Sequence, residues 1–174
     1  QVSKLETGAS NGTHSGGFFE NKGQWPEGVL FKTQISGGNI WVQQKKLVFH
    51  LQDFSQLHKA HFEGEVKVDP VLKEAVVHLN FLGSNFVQLS EKSKPLPFYY
   101  NYFVGKDSTK WASDVHGFEE VTLPNLYDGI DLKLATSKNL TKYEFLVKPS
   151  VDPSQIALNY VGQEKIKVER NGNL

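Results

Sequence analysis

Apolar and polar residues alternate in short runs along this chain, and turn-forming residues separate the runs. Residues 130–135 (Ile-Asp-Leu-Lys-Leu-Ala) alternate strictly, and Tyr143, Phe145 and Val147 fall on one face of residues 140–147. A side-chain period of two is that of a half-buried β-strand. Strands are predicted on the same grounds, or on β-rich composition, over 29–35, 40–44, 47–51, 65–69, 75–82, 118–123, 156–161 and 166–169. Ser36-Gly37-Gly38-Asn39 and Lys45-Lys46 turn the first three into an antiparallel meander. Residues 53–63 read as loop or weak strand, and a helix over 71–78 competes with the strand over 75–82. Residues 92–97, with Pro95 and Pro97, read as a linker-like loop, and residues 124–129 as a turn.

About ten to twelve short strands without a long helix predict an all-β domain, an antiparallel β-sandwich or a barrel-like fold. At 174 residues the chain suits a single domain that buries roughly 70% of its unfolded surface without metal or disulfide. Residues 1–17, rich in Ser, Gly, Thr and Asn, read as a flexible leader, leaving 18–174 as the β-rich domain. Asn171-Gly172 is the strongest hairpin signal in the sequence, yet only two residues follow it. The expectation is a fragment of a longer polypeptide, truncated at its C-terminal hairpin.

Composition narrows the function. Nineteen Lys plus Arg balance nineteen Asp plus Glu, so the basic footprint of a nucleic-acid binder is absent. No run of about 18 apolar residues offers a transmembrane helix. The chain has no Cys, which excludes disulfides, thiolate metal sites and a Cys nucleophile. It also has no Met and opens on Gln1, as an exported protein does after signal-peptide removal.

The chain is organised around Phe98-Tyr99-Tyr100-Asn101-Tyr102-Phe103, five of whose six residues are aromatic, followed by Gly105-Lys106-Asp107 and Trp111. In an extended strand Phe98, Tyr100 and Tyr102 face one way, and Tyr99, Asn101 and Phe103 the other. This predicts a central strand whose two aromatic faces join the strand sets on either side.

Several motifs carry a family resemblance. Phe19-Glu20-Asn21-Lys22-Gly23-Gln24-Trp25 resembles the opening of an uncharacterised N-terminal, β-rich domain of large Bacteroidetes-type cell-surface proteins. So do Tyr100 to Asp107 with Lys110-Trp111, Leu126 to Leu132, Tyr143 to Val147, Asp152-Pro153 and Asn171 to Leu174. The resemblance spans 18–174. It implies a secreted or cell-surface location and neighbours such as propeller-type or immunoglobulin-like repeats. It also implies a C-terminal domain for type IX secretion or gliding motility. No catalytic residues are established for such domains, so none is carried over. The implied partners are other domains of the same polypeptide or cell-surface and secretion proteins.

Candidate chemistry is sparse. Tyr99, Tyr102 and Trp111 could form a sugar-stacking platform, since aromatic rings combine apolar faces with polar tips; packing within a sandwich is the simpler account. Asp107, Asp128 and Asp131 could offer oxygen ligands to calcium, but no D-x-D-x-D-G loop occurs and turns explain them. His58, His61 and His78 fall short of a zinc set. Glu119 and Glu120 are adjacent and diverge in a strand, so they are not a glycosidase pair, and no G-x-S-x-G elbow appears. Asp107-Ser108-Thr109 resembles a short O-glycosylation motif of Bacteroidetes, with Ser108 as acceptor. Asn11-Gly12-Thr13 and Asn139-Leu140-Thr141 fit the N-glycosylation sequon. The expectation is a non-catalytic structural or interaction module, linked to type IX secretion, adhesion or gliding motility, with no cofactor and no metal. A carbohydrate-binding module using Tyr99 to Trp111 is the alternative, with glycans as partners.

Overall fold

A computed structural model of the chain describes residues 16–53, 73–87, 90–137, 140–165 and 169–170. The chain is all-β, and its described residues form ten strands in one antiparallel sheet. In chain order they are β1 (Phe18–Glu20), β2 (Val29–Ile35), β3 (Gly38–Gln43), β4 (Lys46–Asp53), β5 (Lys73–Leu82), β6 (Glu91–Tyr102), β7 (Ala112–Tyr127), β8 (Ile130–Ser137), β9 (Leu140–Val147) and β10 (Ala157–Val161). The order across the sheet is β10-β5-β4-β3-β2-β1-β7-β8-β9, and β6 pairs with β7 off this path.

Alternation decides which side of the sheet is core. In β8, Ile130, Leu132, Leu134 and Thr136 are buried, while Asp131, Lys133 and Ala135 between them are only partly so. Phe31 of β2, Ile40 and Val42 of β3, Leu47 of β4, and Leu79 and Phe81 of β5 continue the same apolar layer. A twisted sheet with one apolar face lowers its exposed apolar area by curling around that face. Here it curls into a half-barrel. The two ends of the sheet approach each other across the core: Phe145 of the end strand β9 stands edge-on to Phe81 of β5, the neighbour of the other end strand, with centroids 6.1 Å apart. The fold is thus the barrel-like form of the predicted all-β class, built from one sheet.

Two meanders, β2 to β5 and β7 to β9, are joined by the three-residue strand β1. Phe19 pairs with Lys32 on one side and with Gly117 on the other. Phe18 is fully buried in the core, so the Phe doublet supplies one ring to each side of the sheet. Gly17, placed by sequence in the leader, is itself buried beneath Leu96.

Three expectations need correction. Residues 92–97 are strand, the first half of β6. Proline is tolerated on an edge because its missing N–H need not join a ladder, and among the described residues β6 pairs with β7 alone. Lys94 adopts a left-handed φ of 54°, and the register shifts between Pro95 and Tyr99, as at a bulge. Second, β6 is therefore an edge strand and not a central one. Third, residues 124–127 continue β7, and the turn is confined to Asp128-Gly129. Asn125 takes a left-handed φ of 52°. Its N–H donates to Asp131 Oδ1 at 2.7 Å, and its Oδ1 accepts from the Gly129 N–H at 3.0 Å. That bonding makes a bulge within β7 where composition suggested a turn.

Residues 73–82 are strand, not the competing helix. The predicted strand over 65–69 and most of the 53–63 segment lie outside the described residues. So do 166–168 of the last predicted strand, the Asn171-Gly172 signal, His58 and His61, and both N-glycosylation sequons' asparagines.

Candidate functional site

The family-like motif at residues 19–25 builds a loop whose product is the placement of one indole. Asn21 is its organiser. Its Nδ2 donates to the carbonyls of Trp25, Pro26 and Val29 at 3.3, 3.2 and 2.9 Å. Its Oδ1 accepts from the N–H groups of Gly23 and Trp25 at 3.0 and 3.2 Å. Gly23 sits at φ 106°, a conformation open essentially to glycine. Gln24 closes the loop, accepting from the Lys22 N–H at 2.6 Å and donating to the Glu20 carbonyl at 2.8 Å. Glu20 ties the loop to β6 and β7 through Lys92 at 2.8 Å, Lys22 at 3.4 Å and the His116 N–H at 3.4 Å. Burial pushes its carboxyl up, but these partners outweigh that and its pKa is lowered.

Trp25, so held, stands edge-to-face against Trp41 of β3 at 5.6 Å and against Tyr102 of β6 at 5.4 Å. The rings continue along β6: Tyr102 to Tyr100 at 6.4 Å, and Tyr100 to Phe98 at 5.7 Å. Phe19 packs against Tyr100 at 4.8 Å. Lys32 lies among them, its Nζ 4.7 Å from the Trp41 ring centre and 5.9 Å from that of Trp25. Burial lowers the pKa of that ammonium. Burial also lifts the Tyr102 hydroxyl to about 12, with Tyr100 adding to the shift. The face of β6 bearing Phe98, Tyr100 and Tyr102 is thus laid against Phe19 of β1 and Trp25 of the loop before β2, and Trp25 in turn meets Trp41 of β3.

The residues between them are more open. Tyr99 is 52% exposed, with the His116 ring beside it at 5.8 Å. Phe103 (53% exposed) and Trp111 (44% exposed) pack edge-to-face at 5.7 Å. Trp111 Nε1 donates to the Gly105 carbonyl at 3.3 Å, which fixes the indole. Between them runs the short 3-10 turn Ser108–Lys110, capped by Asp107. Asp107 Oδ1 accepts from the Thr109 hydroxyl at 2.6 Å and its N–H at 3.1 Å. Those two bonds hold the Asp107 carboxyl below its usual pKa. Ser108 is exposed on this turn.

The three predicted binding residues are therefore not gathered on one surface. Tyr102 turns inward to Trp25, Tyr99 sits by His116, and Trp111 joins Phe103. Trp25, Trp41 and Lys32 were missed as site residues. Asp107, Asp128 and Asp131 act separately: a turn cap, an acceptor for Asn85 Nδ2 at 3.0 Å, and the acceptor for the Asn125 N–H. Among the described residues no three His, Cys, Asp or Glu side chains gather as a metal site. His78 lies in β5, paired with Val48 and Val161. Glu120 is held by Lys94 at 2.7 Å and Lys133 at 3.1 Å.

A family model described as a domain of unknown function, DUF7948, matches residues 18–174. The chain belongs to the DUF7948 family. No curated protein and no solved structure matches it. Within the matched span, Glu20 to Gln24 and Asn125 to Asp131 work on loops and bulges, and what they leave at the surface is aromatic.

Proposed function

We propose that this chain is a non-catalytic interaction module at the N-terminus of an exported cell-surface protein, with the end of β6 and Trp111 as its contact surface. The observation that carries this reading is the Phe103–Trp111 pair. Two large rings stand about half exposed, locked edge-to-face and pinned through the Gly105 carbonyl. Rigid exposed aromatics give large contact area at low entropic cost, which is why such rings anchor interfaces. The acids with depressed pKa values support a non-catalytic role, because each has structural partners: Glu20 and Glu120 in lysine pairs, Glu74 bonded to Gln52 and His50, Asp107 and Asp152 at turn caps. The motif resemblance supports the exported surface location and the link to type IX secretion, adhesion or gliding motility.

The test is photo-crosslinking from position 111 in the full-length protein on its producing cell. Adducts to other domains or to surface and secretion proteins, lost with Phe103→Ala, are the expected result. An absence of adducts, with the protein found only in the cytoplasm, overturns the reading. The second reading is a carbohydrate site on the same surface, which the openness of Phe103 and Trp111 favours. It requires glycan-array binding that is lost in a folded Trp111→Ala variant.

A further inference from the structure

Lys32 differs from the other lysines around it. Lys22 and Lys92 share Glu20, and Lys94 and Lys133 share Glu120. Lys32 has no carboxylate within 4.0 Å and no hydrogen-bond acceptor among the described residues, although it is partly buried. The register places it directly between Phe19 of β1 and Trp41 of β3, with the Trp25 ring alongside. Ring faces offset part of the lost hydration of an ammonium, but they accept none of its three N–H bonds. The group is thus a desolvated donor in an aromatic frame that lacks an anion.

We propose that Lys32, Trp25 and Trp41 form a binding site for an acidic saccharide, with a carboxylate or sulfate of the sugar accepting from Lys32 Nζ and a sugar ring lying on the aromatic row. Three features select this ligand. The charge is complementary, since the ammonium of Lys32, which has no carboxylate or acceptor among the described residues, is a cation. The rings extend as a row from Trp41 through Trp25 to Tyr102 and Tyr100, long enough for more than one sugar unit. Two register steps from the Lys32 and Trp41 pair lies the cross-strand pair Gln34 and Asn39, whose amides can both donate to and accept from hydroxyls. An acidic peptide fits less well. β2 and β3 are paired on both sides, so neither offers a free backbone edge for an added strand, and recognition falls to side chains alone.

The proposal gives the interaction reading a ligand but does not use the Phe103–Trp111 surface, so Trp111→Ala should leave it intact. Titration calorimetry on the whole chain would use oligogalacturonate, a sulfated heparin oligosaccharide, a neutral oligosaccharide of equal length and poly-glutamate. At least one acidic saccharide is expected to bind about tenfold or more tightly than the neutral one, a difference of about 1.4 kcal/mol. The two acidic probes separate carboxylate from sulfate. Lys32→Met should abolish the difference, Lys32→Arg should retain most of it, and Trp111→Ala should not change it. NMR shifts of the Trp25 and Trp41 indole N–H signals on titrating wild-type protein provide a readout that needs no variant. The proposal fails if neither acidic saccharide binds or shifts those signals. It also fails if Lys32→Met binds as wild type does, or if poly-glutamate binds as tightly as the saccharide.

Discussion

The hydroxyls of Tyr143 and Tyr160 lie 3.2 Å apart, joining β9 and β10, the two end strands of the sheet, across the mouth of the half-barrel. Burial, with the bond to Tyr160 adding to it, lifts the Tyr143 hydroxyl to about 12. An unfolded tyrosine, with its ordinary pKa of 10.0, releases its proton while the folded one still holds it. The stability tied to this proton is fully present below pH 10 and is lost as pH rises towards 12. Tyr102, also lifted to about 12, acts in the same direction. Tyr143→Phe should cost about 1 kcal/mol near neutral pH, the net worth of one hydrogen bond, and should flatten the alkaline fall in stability. Denaturant midpoints measured from neutral to strongly alkaline pH test both parts; an unchanged alkaline limb would contradict the assignment.

Gly117 is a point of close approach. A methyl group there would meet Phe19 Cε1 at 2.7 Å and Leu96 Cδ1 at 2.8 Å. The ring belongs to β1 and the leucine to β6, so Gly117→Ala would push β1 and β6 away from β7. Overpacking of this kind costs about 1–3 kcal/mol. A thermal melt of Gly117→Ala should fall by several degrees. A double variant with Leu96→Ala should not recover it, because Phe19 still occupies the space.

Removing the Asn21 side chain takes away five contacts at once and leaves their backbone groups to find water. Asn21→Ala should destabilise the chain by about 2–3 kcal/mol and release Trp25 from Trp41 and Tyr102. A red-shifted tryptophan emission in the still-folded variant is the expected signature. An emission spectrum and stability equal to wild type would show that other residues hold the loop.

Glu120 works at the acid end. The Lys94 and Lys133 ammonium groups hold its carboxyl at about 2, below the 4.5 of a free glutamate. A lowered pKa contributes stability above the unfolded value and loses it as pH falls through the folded one. Stability should therefore decline from about pH 4.5 to pH 2, and Glu120→Gln should flatten that limb. Carboxyl NMR titration of Glu120 gives the pKa directly; a midpoint near 4.5 would count against the pairing.

Much of the strand layout was legible locally. Residues 130–135 and 140–147 alternate so that a slip of one residue would expose an apolar row, residues 29–35 are β-rich in composition, and the structure keeps all three strands. The candidate site was less legible. Treating residues 36–39 as a four-residue turn would pair residue 35 with residue 40 and put Lys32 opposite Gln43. The actual turn is Ser36-Gly37, which pairs Ile35 with Gly38 and brings Lys32 opposite Trp41. A difference of two residues in a turn therefore hid the lysine–tryptophan pair. Tyr102 and Trp25 are seventy-seven positions apart, and no local pattern brings them together.

The sequence alone determined the all-β class, the alternating core faces and the aromatic weight of residues 98–103, because side-chain period and turn chemistry act over a few neighbouring residues. Only the tertiary structure decided that one sheet would curl to bring β9 to β10, that β6 would lie at an edge, and which of its rings would be covered. Those outcomes depend on long-range strand pairing and on where a twisted sheet finds partners for its apolar face. They leave Lys32 between two tryptophans and Trp111 at the surface, which is where the tests of function now lie.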